Sequence, residues 1–487
     1  MFGGGASPAS SGVALERNFL EYRAWLEERA RAGMRTTPHV FHFGSGRDSS
    51  QFDVAETSAE LSDETRLFAR VIQGGRLDPT LRFRHNSIPD LAGPATALTL
   101  VEALRAQLTR LGANGRGRFL YTGHGIPGGP RHAPFSRNAM TLWEGSVDAP
   151  AFAGLLDGMQ KGSRHLSVLT QCHSGGFADS ITWSSGRVGS GMPRTRACAF
   201  FSQRAERPAA GCSADLAHRD EYTVAFVAAL RGRTLAGARV DADFNADGRI
   251  TAREAHGHVV GSLESIDVPF ATSDRFLEVV ATDAVGKWRA PRNWSRSAFD
   301  VGFDPWEKAV AKLLRARLVV GPSTGSSMEP GYLRRIAVRG RELARALRAA
   351  ETKAVAAAER LDEIVWDMQE ELARRDPVFA VPLSIHHGTG LLPSAETLSR
   401  ARERFQSHPR KDELVRADAA ARETESELLR VTHEAAAWER YERLLKSSLA
   451  RRLLAGEGPR MREAAGPRAR AAMHARIVAC EDEAWID

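Results

Sequence analysis

The chain has 487 residues, 43% hydrophobic and 26% charged, with a net charge of +7; this is the make-up of a soluble globular protein of two or three domains and excludes a disordered or fibrous chain. The arginines behind the positive charge are scattered through helical patterns without interleaved aromatics, so no nucleic-acid partner is expected. No stretch reaches the roughly 18 consecutive apolar residues of a membrane span, so no membrane partner is expected either.

Residues 1–36 open on a Gly/Ser/Pro-rich lead and continue with Leu15, Phe19, Tyr22 and Leu26 at helical spacing, which predicts one amphipathic helix appended to the outside of the neighbouring domain. Charges interrupt every apolar run from Glu16 onward, so no secretory signal is expected and a cytoplasmic chain is the expectation. From 37 to about 290 short apolar runs alternate with helical patterns: strands near 38–44, 81–88, 117–122, 166–171, 197–202 and 276–281, and helices near 62–74, 96–112 (capped by Thr96), 149–160 and 220–231. That alternation predicts an α/β fold, a mostly parallel sheet flanked by helices. Residues 300–487 change to Ala/Arg/Glu/Leu-rich helix, with apolar positions from Leu343 to Met368 and again from Leu428 to Leu449; with the Pro- and Gly-bearing segment 377–397 between them, they predict an antiparallel helical hairpin domain. Its apolar faces suit a protein partner, self-association, occlusion of a site, or packing on the rest of the chain.

Four cysteines (Cys172, Cys198, Cys212 and Cys480) are too few for a disulfide scaffold, and free thiols are the expectation. One stands out. Cys172 in "VLTQCHSGGF" and His124 in "YTGHGIPGG" each end an apolar strand at a small-residue turn, 48 residues apart, which leaves room for one helical crossover. Carboxyl ends of neighbouring parallel strands face the same crevice. A thiol is only a few per cent ionised at neutral pH and needs an imidazole to take its proton and return it to a leaving amine. Gly125, directly after the histidine, allows a turn whose N–H, together with that of Cys172, points at a developing oxyanion. The competing reading is a pair of ordinary packing residues, since cysteine is among the most buried types. No second Cys/His pair stands at zinc-ligand spacing beside Cys172 and His173.

"YTGHG" followed by "TQCHSGG" resembles the His-Gly and Cys elements of the caspase-like cysteine peptidases, the group of caspases, metacaspases and legumains; "ERPAAGC" and "DEYTVAFVAALRG" bring bacterial legumain-like members closest. The resemblance covers roughly residues 38–285 and implies a caspase-like sheet, a cysteine endopeptidase with Cys172 as nucleophile and His124 as acid/base, and a protein or peptide substrate. It also implies an orienting asparagine near the histidine, for which Asn86 is the candidate. Segment 180–197 lies where caspases carry their cleavable linker, which makes autoprocessing there an expectation of the resemblance. Thr170 stands where metacaspases and legumains commonly carry an acid. The P1 preference is left open, Arg204 and Arg207 arguing for an acidic residue, Asp179 and Glu206 against.

A second motif is independent of the first. "DFNADGRITARE" fits a twelve-residue calcium loop, with Asp243, Asn245 and Asp247 at positions 1, 3 and 5, Gly248 at 6, the Arg249 carbonyl at 7, Ile250 at 8, Thr251 at 9 and Glu254 at 12. Alternate oxygens wrap the cation, the glycine makes the sharp turn, and Glu254 closes the site with two oxygens. The competing reading is a polar turn capping a helix near Thr251. Calcium is therefore the expected cofactor, and a calcium-binding peptidase of bacterial, arginine- and alanine-rich composition the expected protein. The rivals are an idle caspase-like scaffold and a thiol-dependent hydrolase of a non-protein amide or ester.

Overall fold

The structure is a computed structural model; it describes residues 1–33, 39–47, 49–57, 62–72, 81–128, 137–183, 194, 196–211, 221–285, 295–318, 331–380, 394–455 and 465–483. In chain order the strands are β1 (Phe2–Gly4), β2 (His42–Phe43), β3 (Val54–Thr57), β4 (Leu81–Arg84), β5 (Arg116–Ile126), β6 (Ala139–Thr141), β7 (Ser146–Asp148), β8 (Arg164–Leu169), β9 (Ala197–Phe201) and β10 (Phe270–Ala271). The helices are α1 (Val13–Arg31), α2 (Asp63–Ile72), α3 (Ala97–Arg110), α4 (Ala149–Leu156), α5 (Ala178–Thr182), α6 (Tyr222–Arg231), α7 (Ala252–Ser262) and α8 (Thr272–Val285). They continue with α9 (Arg296–Gly302), α10 (Pro305–Arg317), α11 (Tyr332–Ala373), α12 (Ala395–Gln406), α13 (Lys411–Leu454) and α14 (Ala465–Glu481). Two compact units result: Met1–Ala55, Phe83–Arg341 and His433–Asp487 form the first, Glu56–Arg82 and Glu342–Thr432 the second.

The first unit is α/β. Its sheet runs β10-β9-β8-β5-β1-β2, parallel except for β10, with the β6–β7 hairpin added antiparallel to the end of β5. Alternate residues feed two cores, as the pleat requires. Leu120, Leu166, Val168 and Phe200 pack toward α1, α6 and α7, while Phe119, Tyr121, Leu169 and Phe201 pack toward α3, α4 and α5. Thr96 caps α3, its hydroxyl accepting the Thr99 N–H at 3.1 Å.

Four expectations are corrected. The lead is no appendage: β1 lies inside the sheet between β5 and β2, and α1 is buried without a break from Val13 to Phe19. Glycine disfavours a strand on its own account, but a Cβ on Gly3 would sit 2.2 Å from the Thr122 carbonyl oxygen and 2.7 Å from the Phe19 ring. Only a glycine fits there. Residues 276–281 are helix rather than strand, within α8, because Phe276, Leu277 and Val280 form one helical face packed on Ala450, Leu454 and Ile477; an apolar run this short carries no reliable period. The run from 81 does pair as a strand, but with β3 in a separate two-stranded sheet.

The fourth correction concerns thiols. Cys198 of β9 and Cys480 of α14, both buried, form a disulfide that closes 282 residues; Cys172 is free, and Cys212 lies outside the described residues. Replacing Cys480 by alanine is expected to lower the unfolding free energy by about 2–4 kcal/mol, read from urea midpoints with and without a dithiol reductant. The wild type should lose that stability in reductant and the variant should be indifferent to it. A wild type indifferent to reductant would remove the bond from the stability of the fold.

The second unit is helical. Leu361, Ile364, Val365, Met368 and Leu372 of α11 pack with Leu414 of α13, with Phe405 of α12 and with Leu67, Phe68, Val71 and Ile72 of α2. Here α11 and α13 run antiparallel, Arg360 meeting Glu413 and, two turns on along α11, Asp367 meeting Arg410. Arg66 grips the buried Asp418 through both carboxylate oxygens at 2.6 and 2.9 Å. A further helix, α12, stands between the two long ones; segment 381–393 lies outside the described residues. Among the described residues no helix is long and apolar enough to cross a membrane.

Candidate functional site

Strands β5 and β8 are parallel neighbours with Tyr121 opposite Leu169. Three residues further on each chain stand His124 and Cys172. The turn expected at His124 is strand instead: β5 runs on to Ile126, with His124 opposite Thr141 and Gly125 opposite Met140 of β6. Cys172 lies in the turn after β8, and the sheet brings the two residues to one crevice. The contact is close: a Cβ on Gly125 would lie 1.9 Å from the Cys172 carbonyl oxygen and 2.7 Å from Cγ of Gln171. The N–H groups of Cys172 and Gly125 both lie where they favour the thiolate.

The two side chains are not hydrogen-bonded to each other. His124 directs Nε2 at the backbone carbonyl of Ser10, which fixes the proton on Nε2 and leaves Nδ1 as the basic nitrogen. The Cys172 Sγ accepts the Ala209 N–H at 3.2 Å, and its S–H donates to the Ala209 carbonyl at 3.7 Å. Burial pushes the thiol above its ordinary range; the charge of Asp267 adds to this, and the N–H groups of Ala209, Cys172 and Gly125 oppose it.

The turn after Cys172 is fixed from below. His173 adopts a left-handed conformation (φ 60°), its N–H donating to the Arg207 carbonyl and its Nδ1 facing the Ala205 carbonyl, each at 3.0 Å. The fully buried Asn138 ties three segments together: its amide donates to the carbonyls of His173 (3.0 Å) and Ala205 (2.9 Å), and its oxygen accepts the Gly128 N–H (3.0 Å). Gly175 admits the backbone of 203–205, which a Cβ would meet at 2.7 Å. Between Thr122 and Thr170 lies a cavity of ≈ 10 Å³, room for about one water, where Asn18 bridges Thr122 (2.9 Å) and Glu221 (2.8 Å), and Arg17 meets Glu221 at 2.9 Å.

Asn86 is engaged elsewhere: its side-chain amide and its backbone N–H both donate to Asp53 at 2.7 Å. The group that faces the histidine is the Ser10 carbonyl, from the lead. A backbone carbonyl leaves no trace in residue type, so nothing in the sequence marked it, and Asn138 had no motif around it. The four charges weighed for P1 are all partnered, Arg204 and Arg207 with Glu439, Glu206 with Arg204, and Asp179 with Arg275. Most of segment 180–197 lies outside the described residues.

In the 243–254 loop Asp243 accepts the N–H groups of Asp247 (3.1 Å) and Gly248 (2.9 Å), Asp247 accepts that of Arg249 (2.8 Å), and Asn245 that of Asp247 (2.9 Å). Gly248 turns with φ +79°. Glu254 is buried and accepts the N–H groups of Phe244, Asn245 and Thr251 at 2.9–3.3 Å, while Thr251 caps α7; burial raises its carboxyl above the ordinary range. The capping reading is met, Thr251 starting α7, and the loop closes on its own amides through Asp243, Asp247 and Glu254. The donor set, hard oxygens in the right order, fits calcium. Its oxygens are turned onto loop amides, and among the described residues no three acidic, histidine or cysteine side chains converge as a metal cluster.

No family model matches the chain, and neither a curated protein nor a solved structure is recognisably similar to it.

Proposed function

We propose that the protein is a cysteine endopeptidase of the caspase-like kind, with Cys172 as nucleophile and His124 as acid/base. The observation that carries this reading is the seat of Gly125 against the Cys172 carbonyl, which brings two N–H groups to the one thiol that is free among the described residues, beside the ends of two adjacent parallel strands. In the proposed reaction the Cys172 proton passes to Nδ1 of His124, and Sγ bonds to the carbonyl carbon of the scissile peptide. The oxyanion is held by the N–H groups of Gly125 and Cys172. The C–N bond then breaks as His124 returns the proton to the leaving amine, and water, giving its proton to His124, releases the acyl group from sulfur.

Calcium at residues 243–254 belongs to the same proposal. Asp243, Asn245, Asp247 and Glu254 would hold the ion with the Arg249 carbonyl and the Thr251 hydroxyl, exchanging amide contacts for the cation, whose charge offsets the cost of burying Glu254.

A mixed peptide library incubated with wild type and with Cys172→Ala, each with calcium and with chelator, tests both parts. Cleavage by the wild type should be lost altogether in the variant, and the melting temperature of both proteins should rise with calcium. Selective labelling of Cys172 without cleavage of any peptide would point instead to a thiol-dependent hydrolase of a non-protein substrate. A melting temperature unmoved by calcium would leave 243–254 as a helix-capping turn.

A further inference from the structure

We propose that Glu439 of α13 is a positioning residue of the candidate site, its carboxylate forked between Arg204 and Arg207 so that segment 203–211 is held against the Cys172 thiol. One oxygen lies 2.6 Å from Nη1 of Arg204 and the other 2.7 Å from Nη1 of Arg207, and the glutamate side chain is 25% exposed. Paired, partly desolvated charge contacts of this geometry are stronger than an ordinary surface pair.

The rest of the segment is attached by neutral groups and by one buried carboxylate. The Gln203 amide donates to the carbonyls of Pro208 (3.0 Å) and Ile266 (3.2 Å), and the Ala210 N–H donates to Asp267 (2.9 Å). Between these anchors Ala209 offers both its N–H and its carbonyl to Sγ. The thiol is thus paired with a piece of its own backbone, and a substrate carbonyl has to take the place of Ala209. The fork is the part of this attachment that reaches solvent, so it is the part that salt weakens. Glu206 meets Arg204 at 2.8 Å, and Glu278, which also acts on the charge of Arg204, is itself held by Arg275 and Arg443.

The inference rests on the proposed function only in taking Cys172 as the reactive thiol, and its test needs no peptide cleavage. The rate of Cys172 alkylation by iodoacetamide is followed by peptide mass spectrometry in the full chain. Glu439→Gln should be alkylated about fivefold faster at low ionic strength, the size expected when an ion pair of this exposure is lost. Glu439→Asp, which keeps the charge on a shorter arm, should fall between. Raising salt to about 0.5 M should bring the wild type toward the glutamine variant and leave that variant unchanged. Arg204→Gln combined with Arg207→Gln should reproduce the acceleration and gain nothing further from Glu439→Gln, as coupled residues must. An unchanged rate in Glu439→Gln, or an acceleration that persists with its salt dependence intact, overturns the proposal. Should Glu439→Gln fail to fold, the arginine pair reads out the same coupling: an unchanged rate there overturns the proposal equally. Failure of every peptide to be cleaved, with alkylation shifting as described, would defeat the peptidase reading and leave this one standing.

Discussion

Gly125→Ala is expected to lower peptide turnover by about 100-fold or more, the scale associated with losing an oxyanion donor. The added Cβ would lie 1.9 Å from the Cys172 carbonyl oxygen, a backbone atom that cannot swing aside as a side-chain tip does. The end of β5 and the Cys172 turn must part, carrying the Gly125 N–H away from the position of the reacting oxygen while His124 and Cys172 both remain. Gly154→Ala, where a Cβ meets nothing within 4 Å, is the matched control and should turn over like wild type. Turnover of Gly125→Ala within a few fold of that control would sink the oxyanion role.

Asp267→Asn is expected to change the pH dependence of stability in one direction only. Asp267 is fully buried, one oxygen accepting the Ala210 N–H at 2.9 Å and the other without a partner. Burial raises its carboxyl to about 7 against the pull of the Ala210 amide and of Arg440. The folded protein therefore keeps this proton up to about pH 7, whereas the unfolded chain gives it up near pH 4. Between those values the folded state binds more protons, so wild type loses stability as pH rises through the window. Asparagine titrates nowhere. The gap in favour of the variant should widen by at most about 1.4 kcal/mol per pH unit from pH 4 to pH 7 and stay constant above it. Urea midpoints at pH 5, 6, 7 and 8 read this out; parallel curves for the two proteins would exclude Asp267 as the titrating group. Because the Asp267 charge also raises the Cys172 thiol, the pH midpoint of thiol alkylation should move down in the variant.

Much of the fold is legible where local pattern and tertiary role agree. The strands that bring His124 and Cys172 together are apolar runs, although β5 continues through Gly125 where a turn was expected, and helices α3, α4 and α6 fall close to the positions their periodicity predicts. The failures have a shared physical origin. The "FGGG" stretch is strand because of what lies beside it, the Thr122 carbonyl and the Phe19 ring, and neither neighbour can be inferred from four residues of low strand propensity. Phe276, Leu277 and Val280 suit either period, and only the apolar residues of α14 and of the end of α13 decide for helix. In the site, chemistry carried by side-chain type could be read, as for Cys172, His124 and the 243–254 loop. Chemistry carried by backbone atoms, the Ser10 carbonyl and the Ala209 amide, could not. Asn86 shows the converse: a residue of the right type whose hydrogen bonds belong to Asp53.

The bond between Cys198 and Cys480 gives the two halves of the chain different fates under a protease. A single cut anywhere between those residues yields two fragments that still migrate as one molecule until a reductant is added. A cut in the segment just before Cys198 falls outside the closed loop, so the fragment ending in β8 and the fragment beginning with β9 would be joined by noncovalent contacts alone, the hydrogen bonds between those strands among them. Reducing and non-reducing gels of the same digest therefore tell on which side of residue 198 the chain was opened.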